Sequence, residues 1–295
     1  MSMQSVRMEI KDTHSVSPGF AGLLPLERPP KYFGVDVDGT FHTKNEGAWR
    51  RNIEAFAEVR KRGFTPFFST GRSLVSALRL VGEEFKAKTG YHGYPGVYNN
   101  GAVVYDGNGS IISLGVFSRE FMVKFCDFLT CEGLVGKCIF YTDNYEFSLV
   151  EVDDDLRFVL QSRHLGLPEI KPIDEILEMS IVGISLLCKE INIPGLERDV
   201  DYVEKHVEDD FYDLSTPNTT KGQGVAVLLE HLGATFVDFG YIGDGDNDTE
   251  NMDLSSLSFA VANAPNHVKE HAKFVLDMTC DEAAVAEVFK RIYKL

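Results

Sequence analysis

The run Tyr32-Phe33-Gly34-Val35-Asp36-Val37-Asp38-Gly39-Thr40 is apolar at first and then breaks into carboxylates and a glycine. A short apolar run of this kind reads as a strand buried on both faces, which is the strand of a parallel sheet covered by helices. Side chains alternate along a strand, so a strand over Tyr32–Val37 aims Asp36 and Asp38 the same way at its carboxyl end. Open α/β sheets bind their ligands at that end. Two adjacent anions repel, and an apolar surround tolerates them only if a cation joins them or one takes a proton. A plain polar turn is the alternative, and the rest of the chain argues against it.

A second acidic cluster, Gly243-Asp244-Gly245-Asp246-Asn247-Asp248, follows the apolar stretch Thr235 to Ile242. Asp244, Asp246 and Asp248 alternate like the first ligands of a calcium loop. However, Thr249 stands where that loop needs glycine, and Ser255 where it needs glutamate. Two strand ends that pool oxygens around one hard cation fit better, and all-oxygen ligation suits Mg²⁺. A third apolar run, Phe64 to Phe68, ends in Ser69-Thr70-Gly71-Arg72. Hydroxyls there can donate to a phosphoryl oxygen, and Gly71 lets backbone N–H groups approach an anion. Lys221 opens a helix whose apolar stripe is Val225, Leu228, Leu229 and Leu232. A lysine in the first turn opposes the helix dipole, so an anionic neighbour is expected.

In this order, Asp36-Val37-Asp38-Gly39-Thr40, Thr70, Lys221 and Gly243-Asp244-x-x-Asn247-Asp248 resemble the four motifs of haloacid dehalogenase-like phosphatases. Thr70-Gly71-Arg72, Asn100-Gly101-Ala102 and Val261-Ala262-Asn263-Ala264 resemble the Cof-type branch, as does the long insertion between the second and third motifs. Ser69 stands where the family more often has alanine. That leaves Ser69 and Thr70 as rival phosphate hydroxyls, with Thr70 preferred. The resemblance implies a Rossmann-like doubly wound parallel sheet with an inserted α+β cap of the C2 type.

The resemblance also implies roles. Asp36 would be the nucleophile that forms an aspartyl-phosphate, and Asp38 the general acid and then base. Asp38 would therefore be protonated when substrate arrives. Mg²⁺ would be held by Asp36, the carbonyl of Asp38, and Asp244. Lys221 and Thr70 would bind phosphoryl oxygens, with Gly39, Gly71, Asn247 and Asp248 in support. Asp248 would orient Lys221 or hold a metal-bound water. Arg72 and Asn100 would lie at the substrate rim, Arg72 being equally readable as a structural ion-pair partner. The implied substrate is a small phosphomonoester such as a sugar phosphate. In the cap, Arg157, Arg163, His164 and Lys189 are cationic or polar candidates for contact with the leaving group. A phosphosugar mutase on the same fold and a non-catalytic phosphosugar-binding regulator are the alternatives.

The net charge of −16 argues against nucleic acid or an anionic membrane as partner. It also obliges the site to supply its own positive charge to a phosphorylated substrate. Five cysteines with no C-x-x-C spacing read as reduced thiols of a cytoplasmic protein. No apolar run approaches the roughly 18 residues of a membrane span. Residues 1–30 are expected to be an extension, either a loose tail or a surface strand. Residues 31–109 and 214–295 would form the catalytic core, and 110–213 the cap, since a block that long cannot be a plain loop. Within the cap, single strands are expected over Ile111–Phe117, Cys138–Val150 and Ile181–Cys188, and a helix over Glu197–Val207.

Overall fold

The computed structural model describes residues 28–208, 210–217 and 219–295. Residues 1–27, most of the expected extension, lie outside them. The chain begins with β1 (Tyr32–Val35), α1 (Glu46–Lys61), β2 (Thr65–Phe68), α2 (Leu74–Thr89), β3 (Gly96–Tyr98), β4 (Val103–Tyr105) and β5 (Ile111–Leu114). It continues with α3 (Arg119–Cys131), β6 (Cys138–Tyr141), β7 (Glu146–Ser148), α4 (Asp154–Ser162), β8 (Glu169–Ile170), α5 (Ile173–Ile176), β9 (Gly183–Leu187), β10 (Val203–Glu208) and β11 (Phe211–Ser215). It closes with α6 (Lys221–His231), β12 (Phe239–Gly243), α7 (Thr249–Leu254), β13 (Leu257–Ala260), α8 (Asn266–Lys269), β14 (Phe274–Val275) and α9 (Ala284–Tyr293).

The core is a parallel sheet in the order β14-β13-β12-β1-β2. Its register sets the site. Val35 stands opposite both Ile242 and Phe68, so the three strands end level and the residues after them emerge on one rim. Those residues are Asp36, Ser69-Thr70 and Asp244. On one face of the sheet Phe33 meets Phe289 of α9 edge-on, and Phe68 meets Phe41, Phe56 and Phe85. On the other, Phe67 stacks on Phe239 beside Tyr241.

Gly34 lies under those rings. A Cβ there would sit 2.7 Å from the Tyr241 ring and 2.8 Å from Phe239. Gly34→Ala should therefore destabilise the fold by about 1–3 kcal/mol, the usual cost of an overpacked core. Urea unfolding checks this, and an unchanged midpoint would contradict the packing described.

The inserted sheet runs β10-β11-β9-β6-β7-β8, antiparallel except between β7 and β8. Alternation along β6 divides its side chains. Cys138 and Phe140 pack in the cluster with Phe121 and Phe125 of α3, whereas Ile139 packs with Leu156 and Leu160 of α4. The crossings differ from those expected at 110 and 213. β5 pairs with β4, and β11 continues to Ser215. The chain therefore enters the cap after Leu114 and leaves it after Ser215. A cavity of about 530 Å³ opens beside these crossings, lined by Ser113, Asp201, Thr216, Thr219 and Gln223.

Other expectations also change. The expected helix over Glu197–Val207 overlaps β10 instead. Val200, Val203 and Val207 have helical spacing, but Asp199 turns at φ +65° and Val203–Glu208 pairs with β11. Cys138–Val150 is a hairpin rather than one strand. Thr142 and Tyr145 close its turn by backbone and side-chain hydrogen bonds around Asp143-Asn144. All five cysteines are free thiols. Among the described residues no helix is long and apolar enough to cross a membrane.

Candidate active site

β1 ends at Val35, one residue before the first carboxylate, and this separates the two aspartates expected to point together. Gly39 turns the chain at φ +71°. Asp36 is buried, whereas the Asp38 side chain is 54% exposed. Each has its own cation. Lys221 Nζ donates to Asp36 Oδ1 at 2.6 Å and to Asp248 Oδ1 at 2.7 Å. Arg72 grips Asp38 with two parallel bonds of 2.6 and 2.7 Å, the bidentate geometry that makes such pairs strong.

Lys221 is buried at the start of α6, which Thr220 caps through the Gln223 N–H. Its anionic neighbours offset the unfavourable dipole. Burial favours its neutral form, but Asp248 and Asp36 outweigh burial and hold the ammonium charged. Asp248 is fully buried and saturated. Oδ1 also accepts from the Tyr241 hydroxyl at 2.5 Å, and Oδ2 accepts the Asp244 and Gly245 N–H groups, each at 2.9 Å. These bonds make Asp248 an orienter of Lys221 and of the loop. Asp244 accepts from the Thr40 hydroxyl at 3.0 Å.

One oxygen from each of Asp36, Asp244 and Asp248 lies within 4.8 Å of the others. Three carboxylates thus share one ammonium, which leaves the charge that a divalent cation would supply. The strain is visible in the acids. Burial raises the Asp36 carboxyl well above its ordinary range, with Asp248 and Asp244 adding to the effect against Lys221. Burial and Asp248 push Asp244 up to about 6. A crowded, oxygen-only, net-negative cluster fits Mg²⁺.

Asp38 departs from expectation. Partial burial raises its pKa, but the hydrogen bonds and charge of Arg72, with Arg163 and His42, hold it below the usual carboxylate range. It is therefore ionised here rather than protonated, because it faces a guanidinium and not apolar walls. Arg72 also donates to Ser76 Oγ at 3.0 Å and to the Arg163 carbonyl at 3.2 Å, which ties the core rim to the end of α4.

Thr70 is buried, and its Oγ1 accepts the Arg72 N–H at 3.2 Å, which leaves its proton to donate. Ser69 Oγ is buried beside the Tyr241 hydroxyl. Asn100, at φ +53°, accepts from Asn247 Nδ2 at 2.8 Å and lies against Gly71. The structure thus gathers Asp36, Asp244, Asp248, Lys221, Gly39, Thr70 and the pair Asn100–Asn247 on one rim.

The cap candidates fare differently. Arg163 and His164 follow α4 near Arg72 and His42. Arg157 is instead held by Glu151 at 2.8 Å, and among the described contacts none joins it to the core. Lys189 follows the far end of β9, since Val182 at the other end packs in the core. Sequence reasoning gave no role to Asn263, which donates to the Gly39 carbonyl at 2.8 Å. It placed Thr40 in the first motif without a role of its own, and gave none to Tyr241. Their signal was position, since Thr40 closes the first acidic motif and Asn263 follows β13.

The haloacid dehalogenase-like hydrolase model matches residues 33–289. The chloroplastic endoribonuclease YBEY of Arabidopsis thaliana is 26% identical over 91% of this chain, which spans only 47% of that relative. Phosphatase YwpJ of Bacillus subtilis is 23% identical over 89% of this chain and 99% of its own length. A HAD/COF-like hydrolase from Plasmodium vivax superposes with a TM-score of 0.76 at 25% identity, covering 90% of this chain and 96% of that one. The subclass IIB sugar phosphatase BT4131 gives 0.71 at 19%, covering 88% and 97%. With the family pattern running from β1 into α9, and its carboxylates and lysine meeting on one rim, this chain belongs to the haloacid dehalogenase-like hydrolases.

Proposed function

We propose that the protein is a Mg²⁺-dependent phosphatase of small phosphomonoesters, sugar phosphates foremost, acting through an aspartyl-phosphate on Asp36. The observation that carries this reading is the buried Lys221 bridging Asp36 and Asp248, with Asp244 alongside and two negative charges left over. The phosphatase relative and the sugar phosphatase of like fold support it. The reading includes a cytoplasmic setting, in which five free thiols stay reduced.

Asp36 attacks phosphorus through the oxygen that Lys221 does not hold, and the bond to the leaving oxygen breaks in line. Lys221 and Thr70 neutralise and bind the phosphoryl oxygens. Mg²⁺ held by Asp36, the Asp38 carbonyl and Asp244 would lower the repulsion between carboxylate and phosphoryl group. Asp38, ionised against Arg72, is set to accept the proton of the water that cleaves the acyl phosphate. To protonate the leaving alkoxide in the first half-reaction, it must leave Arg72 and take up a proton. A phosphosugar mutase would return the phosphoryl group to sugar instead of water.

Phosphate release from p-nitrophenyl phosphate and a panel of sugar phosphates tests the reading. Activity with Mg²⁺ and none after chelation are expected, with inhibition by Ca²⁺, which distorts the octahedral geometry. Full activity in metal-free protein would contradict it.

Gly39→Ala probes the metal locus separately. A Cβ there would overlap the Asp244 carboxylate in a left-handed backbone. Displacing one ligand should weaken Mg²⁺ binding by about 10- to 100-fold, read by calorimetry. Equal binding would remove Asp244 from the metal site.

A further inference from the structure

The cap sheet turns one face to the catalytic carboxylates, and strand register fixes what that face carries. Lys205 of β10 stands opposite Asp213 of β11, Asp213 opposite Ser185 of β9, and Ser185 opposite Ile139 of β6. Cross-strand partners share a face, so this is one continuous row. The far part of the face, with Ile139 and Phe211, is covered by α4. From Lys205 to Ser185 the row is polar. Ser185 Oγ bridges Asp213 Oδ1 at 2.6 Å and Tyr141 Oη at 3.1 Å.

Two groups in the row are left over. Among the described residues, neither Lys205 Nζ nor Asp213 Oδ2 has a hydrogen bond or ion pair, although the two residues face each other and both are half-buried. Neither atom is among the fully buried unpaired ones, so both open to solvent where a ligand can meet them. Lys205 and the groups Lys221, Asp248 and Asp36 feel one another's charge, so the row lies within electrostatic reach of the phosphoryl site. Arg163 acts on both Asp38 and Asp213, so the row spans from the nucleophile toward the acid–base residue.

A carboxylate and an ammonium carried on residues whose Cβ atoms lie about 5 Å apart across a strand pair form an acceptor beside a donor. A neutral diol meets both, since each hydroxyl can donate and accept. A second anion meets Lys205 but is repelled by Asp213. We propose that Asp213 and Lys205, the cross-strand pair above Asp36 and Lys221, are specificity-determining residues that receive neighbouring hydroxyls of a sugar or polyol leaving group. Ser185 and Tyr141 position the Asp213 carboxylate. The assignment rests on the phosphatase reading for its leaving group, yet binding alone tests it.

Calorimetry on the full chain carrying Asp36→Asn, which blocks turnover, uses ribose 5-phosphate, glucose 6-phosphate, sorbitol 6-phosphate, phenyl phosphate and 2-phosphoglycolate. The polyol phosphates should bind more tightly than phenyl phosphate. Adding Asp213→Asn should weaken the best of them by roughly 10- to 100-fold, as loss of a charged hydrogen bond does. The same change should tighten 2-phosphoglycolate, because a repulsive charge is removed. Lys205→Met should weaken the polyol phosphates more than phenyl phosphate. A fold defect cannot produce effects of opposite sign. No preference for any polyol phosphate, or equal losses on every probe, would overturn the assignment. Selective binding with no phosphate release by the wild-type protein would instead sink the phosphatase reading and leave the row intact.

Discussion

Asp36→Asn should lower kcat for p-nitrophenyl phosphate by roughly a thousandfold or more, since on the proposed mechanism it removes the nucleophile and not an assisting group. The fold should persist. Asparagine keeps the shape of the side chain, and Lys221 keeps Asp248 as its partner. Metal-free protein should hold its melting temperature or gain a little, because one of three crowded anions is gone. Steady-state rates and thermal unfolding check both halves. Near-normal turnover would remove Asp36 from the chemistry. A collapse of stability would make it a structural residue.

Lys221→Met should damage both activity and stability. Methionine fills a similar volume, so a cavity is not the cause. What is lost is the one ammonium that, among the described residues, bridges the buried Asp36 and Asp248, whose side chains are 7% and 0% exposed. Breaking a buried pair by deleting one partner costs about 3–5 kcal/mol, read as a lower urea midpoint at neutral pH. kcat should fall at least about a hundredfold, since a fixed cation at a developing phosphoryl charge is lost. Mg²⁺ should recover part of the stability, because it binds the folded cluster and not the unfolded chain. A variant as stable as wild type would mean that the two carboxylates are protonated or hydrated in solution.

Asp36, Lys221, Asp244 and Asp248 were legible because each stands where an apolar stretch turns abruptly polar at a strand end or helix start. Level strand ends then bring them together. The Asp38–Arg72 clamp was not legible. It joins side chains from two strand ends, and sequence spacing carries no information on which cation a rim carboxylate meets. Arg157 is a different failure. Leu156 and Leu160 mark the buried side of α4, and a 3.6-residue period puts Arg163 with them and Arg157 about a quarter-turn away. The cap row was hidden by the reading of Glu197–Val207 as a helix. That reading erased the alternation which sets Lys205 opposite Asp213.

The covalent step is the centre of this account, and trapping it is the most direct measurement. On the proposed mechanism Asp38→Asn lacks the base for the second half-reaction, while p-nitrophenol is acidic enough to leave unaided. Acid quenching after mixing with p-nitrophenyl phosphate and Mg²⁺, followed by peptide mass spectrometry, should find one phosphoryl group on the peptide holding Asp36. The label should vanish when Asp36→Asn is added. Turnover by the wild-type protein with no phosphoryl-peptide in the Asp38→Asn variant, or a label on any other residue, would contradict it.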